Sequence, residues 1–191
     1  MYARSLGDDG AELRPLETWH DEEFLAHLDR GREFIGRFIP FGARATDVAS
    51  ARTELRRWAD MRTEGTGALH GLWLDGKLVG GVLCMKLDAD QGTCEVGCWL
   101  EPAASGHGLV TRAMRILIDW AVGERGIHRV EWVAAAGNVP SLNVARRLGM
   151  SRDGVLRQKR LHHGVRHDLE VWSVLAPEWR AARADTAHKD H

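Results

Sequence analysis

The stretch CWLEPAASGHGLVTRAM, Cys98 to Met114, changes its demands on the backbone three times in 17 residues. It starts apolar and strand-like, passes through Pro102, Ala103, Ala104, Ser105 and two glycines, and then becomes an amphipathic helix. A strand that turns through Gly106 and Gly108 into a helix leaves N–H groups free at the helix start, which suit an anion site or a plain tight turn between strand and helix. The glycines permit close approach and unusual dihedrals. A dinucleotide fingerprint would need a third glycine where Thr111 stands, and a P-loop would need Gly-Lys-Ser/Thr. Neither is present.

The segments around this turn fix the fold class. Ala11–Leu16 reads as a strand stopped at Pro15. Residues 18–42 read as a helix, with Thr18 as N-cap and Asp21, Glu22 and Glu23 at its positive end. Phe24, Leu28, Phe34, Ile35 and Phe38 recur at helical spacing, and Pro40 and Gly42 end the run. Thr46–Thr63 predicts a second helix capped by Thr46. Gly67–Leu74 and Lys77–Asp88 form a hairpin about Asp75-Gly76, the strongest turn signal in the chain. Gly92–Leu100 is a further strand, Thr111–Gly123 a helix, and His128–Ala136 a strand. Asn138–Met150 is a helix with Pro140 in its first turn and Gly149 just past its end. The last two strands flank a His163-Gly164 turn. This order predicts an α+β domain: a mixed, mostly antiparallel sheet of about seven strands with helices on both faces. Residues 1–10 read as a flexible N-terminus, 11–179 as a single domain, and 180–191 as a charged, frayed tail.

Composition narrows the partners. The 191 residues carry a formal net charge of -1, so no positive excess exists to neutralise phosphates and no nucleic-acid partner is expected. No run of 18 apolar residues and no apolar leader occurs, so no membrane partner is expected. Three cysteines, Cys84, Cys94 and Cys98, argue against a disulfide framework and for a reduced, cytoplasmic compartment. Neither the cysteines nor the cluster His162, His163 and His167 has the pattern of a metal centre, and no metal is expected.

From Gly97 to Leu156 the sequence resembles the acyl-coenzyme A-binding half of a GNAT-fold N-acetyltransferase. The likeness is nearest to the Rim type, which acetylates N-terminal amines of ribosomal proteins. In element order the likeness runs from Leu13 to Trp179. The family motif is Gln/Arg-x-x-Gly-x-Gly/Ala. Here it reads Ser105-Gly106-His107-Gly108-Leu109-Val110, so Gly108 keeps a required glycine while Ser105 and Val110 depart from the pattern. The resemblance implies acetyl-CoA as cosubstrate, with Gly106, His107, Gly108, Leu109, Val110 and Thr111 around its pyrophosphate. Trp99, Leu100 and Glu101 would offer backbone to the pantetheine arm as an added strand, with Asn138 and Asn143 also near the cofactor.

Ser141 matches a family serine near the thioester sulfur and is assigned general acid. Relatives place a carboxylate where Arg160 stands, so Glu95 is assigned as general base and as a contact to the amine, with Glu131 and His167 as alternatives. Phe38, Phe41 and His167 would line the amine cleft. The implied reaction is acetyl transfer to a primary amine, a protein N-terminal amine first. A small-molecule amine is the alternative, and a catalytically idle acyl-CoA-binding domain the third reading. The resemblance also implies a homodimer.

Overall fold

The computed structural model describes residues 3–7, 10–39 and 44–189, without the side chains of 186–189. Its strands are β1 (Arg4–Ser5), β2 (Ala11–Pro15), β3 (Ala68–Leu74), β4 (Lys77–Asp88), β5 (Thr93–Leu100), β6 (Arg129–Ala135), β7 (Ser151–His162) and β8 (Val165–Leu175). The helices are α1 (Asp21–Gly36), α2 (Val48–Glu64), α3 (Leu109–Gly123), α4 (Val139–Arg147) and α5 (Ala176–Lys189). The strands form one sheet in the order β1-β2-β3-β4-β5-β6-β8-β7. β5 and β6 run parallel, while β1–β2, β2–β3, β3–β4, β6–β8 and β7–β8 are antiparallel. The expected mixed, mostly antiparallel α+β architecture is present, with eight strands where about seven were predicted. The extra one is β1, whose two residues pair with Glu12 and Leu13; two residues are too few to show a period of two.

The chain divides into two compact units: Met1–Met85 with Gly97–Leu117, and Lys86–Val96 with Ile118–His191. In the first, α1 presents Phe24, Leu28 and Ile35 to a core shared with Leu55 and Trp58 of α2 and with Leu69, Leu83 and Trp99 of the sheet. The helix starts later than predicted. Thr18–His20 form a 3-10 turn behind Glu17, so Thr18 is not the cap. α1 ends at Gly36; Pro40, Phe41 and Gly42 lie outside the described residues. Asp47, not Thr46, caps α2. Its carboxylate accepts from the Ser50 N–H at 2.7 Å, and Ser50 Oγ accepts from the Asp47 N–H at 3.0 Å. This reciprocal pair satisfies donors at both ends of the first turn. The β3–β4 turn has Asp75 at φ 49° and Gly76 at φ 77°, as a two-residue hairpin requires.

In β4, Gly81 lets Trp99 lie flat against the strand. A Cβ there would fall on carbons of the Trp99 ring and 2.6 Å from the His70 carbonyl.

In the second unit, α5 forms where a frayed tail was predicted. Trp179 is buried and donates to Asp119 Oδ1 at 2.7 Å, and Arg183 pairs with Asp119 Oδ2 at 2.8 Å. The anchor is 60 residues away in sequence, which local composition cannot reveal. β7 and β8 continue beyond β6 to the His163-Gly164 turn, with φ 48° and 75°.

Candidate functional site

The first unit contains the glycine turn. β5 ends at Leu100, Pro102–Ala104 make a 3-10 turn, and Gly106 and Gly108 adopt φ 91° and 69°. An added Cβ at either glycine meets nothing within 4 Å. The left-handed backbone, not crowding, demands glycine here. α3 starts at Leu109, and its first intrahelical bond runs from Arg112 N–H to the Gly108 carbonyl at 3.0 Å. The N–H groups of Leu109, Val110 and Thr111 therefore have no acceptor inside the helix. These donors and the positive end of a 15-residue helix suit an anion. Open space over the glycines and a cradle of N–H groups fit the phosphates of a coenzyme A moiety.

Val110, the departure from the family motif, is 8% exposed. Its side chain is buried. Leu109 and Thr111 are also buried, while Ser105, His107 and both glycines are exposed.

Trp99 and Glu101 bracket Leu100 at the strand end, and one imidazole holds both. Trp99 Nε1 donates to His27 Nε2 at 2.8 Å. An indole N–H can only donate, so His27 Nε2 carries the lone pair and Nδ1 carries the proton. That Nδ1–H donates to Glu101 Oε1 at 2.6 Å, and Arg30 Nε donates to the same oxygen at 2.9 Å. Burial pushes the His27 pKa down, more than the nearby Glu101 carboxylate pulls it up. Burial pushes Glu101 up, but the bonds from Arg30 and His27 outweigh it and leave the carboxyl lowered. The cluster is neutral imidazole, carboxylate and guanidinium. The sequence pattern showed none of it, because His27 and Glu101 are 74 residues apart.

The second unit holds Ser141, Asn138, Asn143, Glu95 and His167. Asn138 caps α4, its Oδ1 accepting from the Ser141 N–H at 3.4 Å. Ser141 Oγ accepts from Trp132 Nε1 at 3.0 Å. Trp132 is 1% exposed, and a buried indole N–H generally needs a partner, the one signal in the sequence for this pair. With an N–H already donated to its oxygen, the Ser141 proton is left for another acceptor. Asn143 Oδ1 accepts from Arg146 at 2.7 Å.

Glu95 is buried, and its Oε2 pairs with Lys86 Nζ at 2.5 Å. Lys86 has φ 51°, an irregular position in β4. Parallel register sets Glu95 beside Glu131 and Val96 beside Trp132. Side chains alternate along a strand, so Glu95 lies on one face of this sheet and the Trp132–Ser141 pair on the other. Glu131 is bonded to Arg129 at 2.8 Å. Glu131 pairs with Ser173 on β8, and His167 is six residues earlier on that strand, roughly 20 Å along it. The structure does not bring His167 to Glu95. His167 faces Arg160 across the β7–β8 hairpin. Phe38, in the first unit, is half-buried with the Arg37 guanidinium 5.4 Å from its ring centre; Phe41 lies outside the described residues. Among the described residues no group of three or more His, Cys, Asp or Glu could hold a metal, and no helix is long and apolar enough to cross a membrane.

The structure is thus a mixed-sheet α+β domain with a left-handed glycine turn and free N–H groups at the start of α3. Residues 11–151 match the acetyltransferase (GNAT) domain, and the chain belongs to that family of acetyltransferases. It is similar to the "Putative ribosomal N-acetyltransferase YdaF" of Bacillus subtilis (strain 168), 29% identical over 172 residues, 90% of this chain and 94% of that protein. A crystal structure named "Probable acetyltransferase" is 28% identical, with TM-score 0.86 over 93% of this chain and 99% of that one. The ribosomal-protein alpha-N acetyltransferase RimL in complex with coenzyme A has TM-score 0.84 over 88% of this chain and 95% of that one. At 16% identity, RimL shares the fold.

Proposed function

We propose that this enzyme moves an acetyl group from acetyl-CoA to a primary amine, the N-terminal α-amine of a protein or peptide. The observation that carries the cosubstrate is the cradle itself: two left-handed glycines opening onto unbonded N–H groups at the start of α3. Coenzyme A in the structurally similar RimL and the ribosomal name of the YdaF relative agree with the reading. In it, Gly106 to Thr111 hold the pyrophosphate, and Trp99, Leu100, Asn138 and Asn143 hold the pantetheine arm. A ribosomal-protein substrate would place the reaction in the cytoplasm, with the implied homodimer open to sedimentation analysis.

The neutral amine attacks the thioester carbonyl carbon, the carbon–sulfur bond breaks, the thiolate takes the Ser141 hydroxyl proton, and the proton released by the amine returns to Ser141 through solvent. The N–H that Trp132 donates to Ser141 Oγ favours loss of that proton. Backbone N–H groups of Gly97–Leu100 stabilise the oxyanion, which in such sites supplies a large share of the rate. Glu95, paired with Lys86, takes the amine proton directly or through one water. An α-amine of pKa about 8 needs only modest help. His167, assigned with Glu95, Phe38 and Phe41 to the amine side, lies roughly 20 Å from Glu95 along the sheet and takes no part in proton transfer at Glu95.

A panel of peptides differing at the first residue, alongside polyamines and aminoglycosides, tests the substrate. Turnover that depends on the peptide's first residue is the expected result. Turnover of small amines alone would replace this reading with the small-amine one, and none with any amine would leave an acyl-CoA-binding domain.

A further inference from the structure

We infer that His27, with Glu101 and Arg30, is a positioning device that fixes the β5 end for coenzyme A; the inference rests on the cosubstrate reading above. Trp99 and Glu101 are two apart on an extended segment, so both point the same way, and the two nitrogens of His27 take one each. The imidazole therefore spans the backbone units on both sides of Leu100, the segment assigned to the pantetheine arm. It is 0% exposed, so no water substitutes for either bond.

Two further bonds make the segment continuous with the cradle, and two more tie it to β4. The Glu101 carbonyl accepts from the Ala104 N–H at 3.1 Å and from Ser105 Oγ at 3.4 Å, which shapes the turn into Gly106. The Glu101 N–H donates to the Val79 carbonyl at 2.8 Å. Arg30 Nη2 donates to the Leu78 carbonyl at 2.7 Å while the same guanidinium holds Glu101, so α1 clamps β4 and the β5 end together.

Every polar group in this cluster has its role set by another. Trp99 can only donate, so His27 Nε2 must accept. Nδ1–H must then donate, and the buried carboxylate receives it. A fully satisfied buried network rigidifies what it holds. The segment it holds is one whose backbone must stay in register with a ligand, whereas the α1–α2 packing is secured separately by Phe24, Leu28 and Leu55.

The test is calorimetric titration of coenzyme A into the full chain and into His27→Leu, Trp99→Phe and His27→Gln. Loss of folded protein lowers the binding stoichiometry and leaves Kd alone; loss of positioning raises Kd at unchanged stoichiometry. His27→Leu should weaken binding about tenfold, through loss of the charge-assisted bond to Glu101 and the neutral one from Trp99. Trp99→Phe, which deletes one N–H and leaves the His27–Glu101 pair, should weaken it several-fold. His27→Gln, able to donate and accept, should recover part of the loss. Wild-type Kd in Trp99→Phe and in whichever His27 variants fold would overturn the inference while the cosubstrate reading stands. No binding by the unaltered chain would overturn both.

Discussion

His70 gives the account a stability signature with a definite sign. It sits in β3, 4% exposed, between Pro15 of β2 and Val82 of β4. Its Nδ1 has no hydrogen-bond partner among the described residues. Burial penalises the imidazolium, Arg62 adds repulsion, and the pKa falls from 6.5 to about 4. Between those values the unfolded chain binds a proton that the folded chain refuses, so stability rises with pH there and is lost as pH falls below 6.5. Going from pH 7 to pH 5, the difference amounts to about 2 kcal/mol from this one group.

His70→Leu removes the titration and the unpartnered nitrogen together. Urea unfolding at both pH values is the assay. The wild type should lose about 2 kcal/mol more than the variant, or about 1 M in midpoint for a slope near 2 kcal/mol/M. His27 is depressed in the same direction and supplies part of the slope that remains in the variant. Equal losses by wild type and variant would refute the reasoning, since a buried neutral histidine cannot be insensitive to acid.

Other substitutions report on other parts. Gly81→Ala should destabilise by about 1–3 kcal/mol in urea, because the new methyl collides with the Trp99 ring and strand β4 must shift. Asp47→Ala should cost about 1 kcal/mol and lower Tm by about 2–4 °C by thermal melting, through loss of the α2 cap. Ser141→Ala should lower kcat about 10²-fold or more in an acetyl-transfer assay if it is the acid. Trp132→Phe should lower kcat several-fold in the same assay without abolishing it, because the hydroxyl stays but loses the donor that orients it.

Local signals carried much of the fold. Asp75-Gly76 and His163-Gly164 adopt the paired left-handed conformations their residue types favour. The cradle was legible for the same reason, since left-handed glycines and a helix start lie within a few residues of each other. Long-range arrangements were not legible. α5 is held by Asp119, the β5 end by His27, and Glu95 by Lys86 at an irregular position in β4. In each case one partner looks like an ordinary surface residue until the topology brings the other to it. Strand β1 escaped because two residues carry no period, and the α2 cap moved by one because Thr46 and Asp47 are both good caps and only Asp47 has Ser50 three residues ahead.

The central claim is that the backbone of Gly106 to Thr111 holds acetyl-CoA. Calorimetric titration of acetyl-CoA into the wild type and Gly108→Pro tests it most directly, with circular dichroism to show that both are folded. Proline fixes φ near -65° where the structure has 69°. The account predicts saturable one-to-one binding by the wild type and none measurable in the folded variant. Absence of binding by the wild type, or equal binding by both, would contradict it.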